Sequence, residues 1–229
     1  MTKILFVCHG NICRSPMAEF VMKDLVQRAG LEADFEIESA ATSTEELGNG
    51  VYPPVRRLLD EHGIDCRGKT VRLLREEDYD AFDLLIGMDA YNLRNMRRLF
   101  GGDDAGKLRL LLDYAGREGQ SVADPWYTRD FAATWEDVNA GCLGLLEMLT
   151  DSVLLDFTGC QSRRELYGVL RRVMGWQDWY GENLDALWDV LTGLPHEGKR
   201  FTVVLPRKAG PVRDYAEKMR NVIREAESV

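Results

Sequence analysis

Eight consecutive residues, Cys8-His-Gly-Asn-Ile-Cys-Arg-Ser15, are of types and at a spacing that suit phosphoryl chemistry. A short apolar run, Lys3–Val7, precedes them, and residues 15–29 follow with helical periodicity (Met17, Phe20, Val21, Leu25, Val26). A loop between a strand end and a helix start turns successive backbone N–H groups inward and forms an anion nest. The helix dipole adds positive potential at the same point. Arg14 offers a planar fork for two phosphate oxygens. Gly10 permits close backbone approach. Cys8 in that field is expected to be a thiolate at neutral pH. Facing a bound phosphoryl group, it is a nucleophile set against its electrophile.

A departing oxygen needs a proton, and Asp124, in Ala123-Asp-Pro-Trp-Tyr127, is the candidate general acid. Pro125 stiffens its loop, and Trp126 and Tyr127 can wall a flat aromatic substrate. Alone, an Asp-Pro pair reads as a turn. Beside the cysteine loop it reads as catalysis.

The elements that must position these residues alternate. Ser15 and Pro16 suit an N-cap and first turn, and Gly30 a stop. Phe35–Ser39 reads as a strand, Pro53 to His62 as a helix closed by Gly63, and Asp83–Met88 as a strand. A helix over Ala90–Phe100, an apolar strand Leu108–Leu112 and a helix over 131–149 complete the series. Such β-α-β-α alternation predicts a parallel sheet with helices on both faces. Ligands bind there at the carboxyl ends of the strands, where Cys8 falls.

The pattern restarts after Thr150, with strands Val153–Phe157 and Phe201–Leu205 and helices Ser162–Met174, Asn183–Leu191 and Val212–Glu227. The expected domains are therefore 1–150 and 151–229. Residues 1–150 hold 17 Lys+Arg against 26 Asp+Glu, whereas residues 151–229 hold 12 of each.

An acidic chain of 229 residues without a basic stripe is a poor nucleic-acid binder. No run is long and apolar enough to span a membrane, and Ile4–Val7 is too short for a signal-peptide core. A cytoplasmic protein is expected. Five scattered cysteines and three histidines argue against a disulfide framework, and leave little for a zinc site or a Ser-His-Asp triad. No metal and no cofactor is expected.

Residues 1–150 resemble a low-molecular-weight protein tyrosine phosphatase. The resemblance is carried by Val7-Cys-His-Gly-Asn-Ile-Cys-Arg-Ser-Pro-Met-Ala-Glu19, Ser39-Ala-Ala-Thr42, Leu85-Ile-Gly-Met-Asp89 and Asp124-Pro-Trp-Tyr127. It implies a flavodoxin-like α/β domain with a four-stranded parallel sheet, and a tyrosine-phosphorylated protein as substrate. Cys8 would attack phosphorus while Asp124 protonates the phenol. Water would then hydrolyse the cysteinyl-phosphate with Asp124 as base. Arg14 would hold the phosphoryl group, Ser15 would hydrogen-bond Cys8, and Asn11 would hold the loop through Ser39. Ile12 resembles the phosphotyrosine enzymes, where a threonine would resemble the arginine phosphatases, which stay as the alternative. His9 is read as exposed at the pocket rim, with substrate contact left open. The resemblance also implies that Cys13 can close a disulfide with Cys8 under oxidation; the alternative is a small packing residue. Arsenate reductases share the loop but need two further redox cysteines close in sequence. Cys66 and Cys142 are far apart and read as structural thiols. After Gly63-Ile-Asp65 the chain departs from the family pattern of a His and an Arg, reading Cys66-Arg-Gly-Lys-Thr70.

Trp179-Tyr-Gly-Glu-Asn-Leu-Asp-Ala-Leu-Trp-Asp-Val-Leu-Thr-Gly193 resembles barstar, the intracellular inhibitor of the ribonuclease barnase, which implies a small α/β domain and a ribonuclease-like partner. Tyr180, Asn183, Asp185, Trp188 and Asp189 are the candidate contacts. Asp185 and Asp189 are one helical turn apart. Residues 173–198 hold five acids and no Lys or Arg. The alternatives are a structural appendage whose Leu184, Leu187, Trp188 and Leu191 simply face a core, or an immunity-type inhibitor carrying a phosphatase domain. A barstar adds a strand after its last helix, so this sheet is expected to be short or completed by another element.

Overall fold

The computed structural model describes residues 1–175, 181–193 and 200–228. The chain forms two compact units, Met1–Leu146 and Glu147–Val229.

In the first unit four strands, β1 (Thr2–Cys8), β2 (Phe35–Ala41), β3 (Leu84–Gly87) and β4 (Leu108–Leu110), lie in the order β2-β1-β3-β4, all parallel. Ile4 through Val7 are fully buried, as a central parallel strand covered on both faces requires. β1 pairs with β2 on one side and β3 on the other, so its carboxyl end lies where successive connections diverge. That is where open α/β sheets leave a crevice. The helices are α1 (Arg14–Ala29), α2 (Pro53–Glu61), α3 (Asp78–Ala81), α4 (Ala90–Phe100), α5 (Pro125–Thr128) and α6 (Phe131–Thr150). The fold is the flavodoxin-like α/β architecture.

Three local expectations are corrected. Ser15 is not the N-cap of α1. The helix begins at Arg14, Cys13 occupies the cap position without a side-chain bond, and Ser15 Oγ donates to Cys8 Sγ instead. The helix thus starts two residues earlier than capping preference suggests, which leaves the Ser15 hydroxyl to the sulfur. Leu108–Leu112 is not all strand: β4 ends at Leu110 and a 3-10 turn runs over Leu111–Ala115. Asp113 folds the chain there by accepting from the N–H groups of Leu110 and Gly119. Leu111 and Leu112 remain fully buried, so the apolar run reports core rather than strand. Asp124 precedes a short helix, α5, rather than a plain loop.

The second unit pairs β5 (Val153–Asp156) in parallel with β6 (Phe201–Val204), beside α7 (Arg163–Met174), α8 (Leu184–Gly193) and α9 (Pro211–Ala226). It has its own core, including Phe157, Tyr167, Leu187, Leu191, Met219 and Ile223. Ser162 caps α7, accepting from Glu165 N–H. Among the described residues, no helix is long and apolar enough to cross a membrane.

Candidate active site

The chain leaves β1 at Cys8 and enters α1 at Arg14 through a loop whose backbone passes through the left-handed region at Asn11, φ +53°. Asn tolerates that region better than most residues. Here the fully buried Asn11 also makes three bonds that hold it. Its N–H donates to Cys8 Sγ at 3.2 Å, and its Nδ2 to Ser15 Oγ at 2.9 Å and Ser39 Oγ at 2.7 Å. Ser15 Oγ donates to Cys8 Sγ at 3.0 Å. Two donors thus converge on one sulfur, which accepts both bonds.

The network continues behind the loop. Ser39 donates to Glu19 Oε2 at 2.6 Å, and Glu19 lies 2.6 Å from both Lys69 and Lys23. Lys69 also donates to the Ser39 carbonyl at 3.1 Å. Burial opposes the charge on Glu19, but Lys69 and Lys23 outweigh it and hold the carboxyl below the ordinary glutamate value. The departing segment Cys66–Thr70 therefore supplies Lys69 to the loop's supports.

Arg14 is buried, and two carboxylates hold its fork. Nη1 lies 2.6 Å from Asp89 Oδ2, and Nη2 lies 2.7 Å from Asp124 Oδ2. Each carboxylate uses its other oxygen as a helix cap. Asp89 Oδ1 accepts from Asn92 N–H at 2.8 Å at the start of α4, and Asp124 Oδ1 from Trp126 N–H at 3.0 Å at the start of α5. Burial works against the Arg14 charge, yet Cys8, Asp124 and Asp89 raise its pKa above the ordinary arginine value.

Cys8, His9, Gly10, Ile12, Cys13 and Arg14 line a cleft of about 710 Å³ together with Asp124, Trp126 and Tyr127. Asn11, Ser15 and Ser39 are fully buried behind it. His9 is exposed, its Nε2 3.3 Å from Glu45, which also lines the cleft. Trp126 is half exposed and Tyr127 is 83% exposed, so both rings are open to a ligand. Burial, then Cys8, pushes the Cys13 thiol up to about 12. Cys66 and Cys142 are buried free thiols, both raised by burial.

Three residues of this arrangement carry no role in the sequence reading. Asp89 stands at the end of the Leu85–Asp89 motif, and its capping spacing to Asn92 was a usable signal. Glu19 closes the Val7–Glu19 motif and stands at i,i+4 spacing to Lys23. Lys69 carries no local signal, because its partner Glu19 is distant in sequence.

In the second unit Asp185 and Asp189 are exposed on α8. Asn183 accepts from Ala186 N–H at 2.8 Å, capping that helix, and Trp188 is partly buried against the unit's core. Glu182 pairs with Arg171 at 2.8 Å. Tyr180 lies outside the described residues, as do Asp178 and Glu197.

Residues 3–154 match the family model of the low molecular weight phosphotyrosine protein phosphatases. The chain belongs to that family. It is 37% identical to the low molecular weight protein-tyrosine-phosphatase YfkJ of Bacillus subtilis (strain 168), over 64% of this chain and 94% of that one. The crystal structure of YfkJ superposes with a TM-score of 0.64, at 36% identity, covering 66% and 96% of the two chains. The crystal structure of DARP, a Drosophila arginine phosphatase, matches with a TM-score of 0.60 at 29% identity, covering 65% and 98%. The enzyme class is accordingly protein-tyrosine phosphatase. Residues 150–228 match the model of Barstar, the barnase inhibitor.

Proposed function

We propose that this phosphatase hydrolyses phosphotyrosine in proteins through a cysteinyl-phosphate intermediate on Cys8. The observation that carries the reading is the convergence of Asn11 N–H and Ser15 Oγ on Cys8 Sγ, in a cleft that also holds the Arg14 fork. A phosphoryl dianion binding in the loop competes for the guanidinium edge that Asp124 now occupies. Displaced from Arg14, the Asp124 carboxyl is free to carry the proton that the leaving phenol oxygen needs. Cys8 sulfur forms its bond to phosphorus as the P–O bond breaks, and the phenol leaves with the Asp124 proton. Water then attacks phosphorus, giving its proton to Asp124. The S–P bond breaks, releasing phosphate and returning the thiolate, with Ser15 donating to the departing sulfur. Arg14 neutralises the equatorial oxygens in both steps.

Ile12 and the exposed rings of Trp126 and Tyr127 favour an aromatic substrate. The experiment is kcat/KM on phosphotyrosine and phosphoarginine peptides, with Cys8→Ser alongside. Preference for phosphotyrosine is expected, together with a Cys8→Ser variant that binds phosphate without turnover. Phosphoarginine preference would move the substrate to the alternative class, and near wild-type turnover by Cys8→Ser would overturn the mechanism.

For the second unit we infer a binding module for a ribonuclease-like protein. Exposed Asp185 and Asp189, one turn apart on α8, support this reading, since carboxylates can stand in for RNA phosphates in a basic active site.

A further inference from the structure

Tyr52 takes no part in lining the cleft, yet it touches both loops that the reaction needs. It precedes Pro53 and Pro54, and the proline after it favours the extended backbone it adopts, φ −53°, ψ 130°. Its N–H donates to the carbonyl of Ile12, inside the phosphate loop, at 2.9 Å. Its ring meets Trp126 edge-on, with centroids 5.9 Å apart and planes at 60°, and stacks with Phe131 at 6.2 Å and 27°. Trp126 and Phe131 follow Asp124 by two and seven residues, in the segment that Asp124 opens. That segment has little core of its own: α5 is four residues long, and of its side chains only Pro125 is buried. Trp126 in turn donates its backbone N–H to Asp124 Oδ1.

We propose that Tyr52 is a positioning residue for the acid step. Its backbone fixes it to the phosphate loop, and its ring fixes Trp126, and through Trp126 the Asp124 carboxyl, at a set offset from Cys8. The inference rests on Asp124 being the acid. It makes the ring, rather than the hydroxyl, the functional part of Tyr52. It also predicts that removing the ring spares phosphate binding, because the contact to the loop is made by the backbone N–H.

The test uses the full chain and kcat/KM, which reports the first chemical step. Phenyl phosphate needs a protonated leaving oxygen, whereas p-nitrophenyl phosphate needs it far less. Tyr52→Ala is expected to lose about tenfold on phenyl phosphate, a fraction of the roughly 10²–10⁴-fold that a placed acid supplies, and much less on p-nitrophenyl phosphate. Inhibition by inorganic phosphate should be unchanged, and Tyr52→Phe should track the wild type. Tyr52→Leu, which keeps apolar bulk, gives the same comparison if the alanine variant does not fold. Equal losses on both substrates, weakened phosphate inhibition, or a Tyr52→Phe variant as impaired as Tyr52→Ala would each overturn the role. Asp124→Ala run in parallel separates the two claims. A flat leaving-group dependence in that variant defeats the acid assignment. A steep one beside a flat Tyr52→Ala defeats the positioning role alone.

Discussion

Glu19 is a carboxylate buried among two lysines and a serine hydroxyl, and its charge has consequences for stability. Burial alone would favour the protonated acid; Lys69 and Lys23 reverse that and lower its pKa. A carboxyl depressed in the folded state binds its proton less readily there than in the unfolded chain. Its contribution is therefore complete above the unfolded value and fades as pH falls through the folded one. Glu19→Gln leaves the largely buried Lys69 with a neutral partner, and should cost roughly 1–3 kcal/mol at neutral pH. Denaturant melts at neutral and at acid pH check this. The gap between variant and wild type should narrow on the acid side, and a gap constant with pH would mean that packing, not charge, carries the effect. Because Glu19 accepts from Ser39, and Ser39 from Asn11, the ion pairs also support the loop that presents Cys8.

The elements are held in register by close approaches as much as by apolar burial. α6 carries Gly141 and Gly144 against the 3-10 turn after β4. A Cβ at Gly144 would lie 1.9 Å from the Tyr114 carbonyl oxygen, and one at Gly141 would lie 2.5 Å from Leu111 Cγ. Since a carbonyl cannot swing aside as a side chain can, Gly144→Ala should destabilise by about 1–3 kcal/mol or more, seen as a Tm lower by several degrees. Gly168 in α7 is the contrast, because a Cβ there would meet nothing within 4 Å. Gly168→Ala should instead stabilise by roughly 0.5–1 kcal/mol, from helix propensity alone. Thermal melts of the two variants should move in opposite directions. A Gly144→Ala variant as stable as wild type would show that α6 can shift away from the turn.

The same contrast explains what the sequence could disclose. The alternating strands and helices are periodic over adjacent residues, so β1, α1, β2, α2, β3 and α4 were legible. The end of β4 was not, because an apolar run looks alike in a strand and in a buried turn. The Cys8–Ser15 loop was legible because its parts are contiguous. Lys69 and Tyr52 were not, since one reaches Glu19 across 50 residues and the other reaches Trp126 across 74, and only the folded chain makes them neighbours.

At the scale of the molecule, every residue of the proposed phosphatase reaction falls between Cys8 and Tyr127, inside the first unit, while the second unit has a core of its own. The charge divides in the same way, with the whole surplus of acid in residues 1–150 and a balanced second segment. α6 ends at Thr150, so a chain cut there keeps its last helix entire. Residues 1–150 should hydrolyse phosphotyrosine peptides with the kcat/KM of the full chain. Binding of a basic ribonuclease should be confined to the full chain, and Asp189→Ala should weaken it without moving the phosphatase rates, because Asp189 is exposed on α8 in the second unit and is not among the residues of the proposed reaction. Parallel kinetics and a titration against barnase decide the matter. Equal rates with Asp189-dependent binding would establish two independent activities on one chain. A change in kcat/KM or peptide preference on truncation would mean instead that the second unit selects the phosphatase's substrates, and the carboxylates of α8 would then be sought in contact with the phosphoprotein rather than with a ribonuclease.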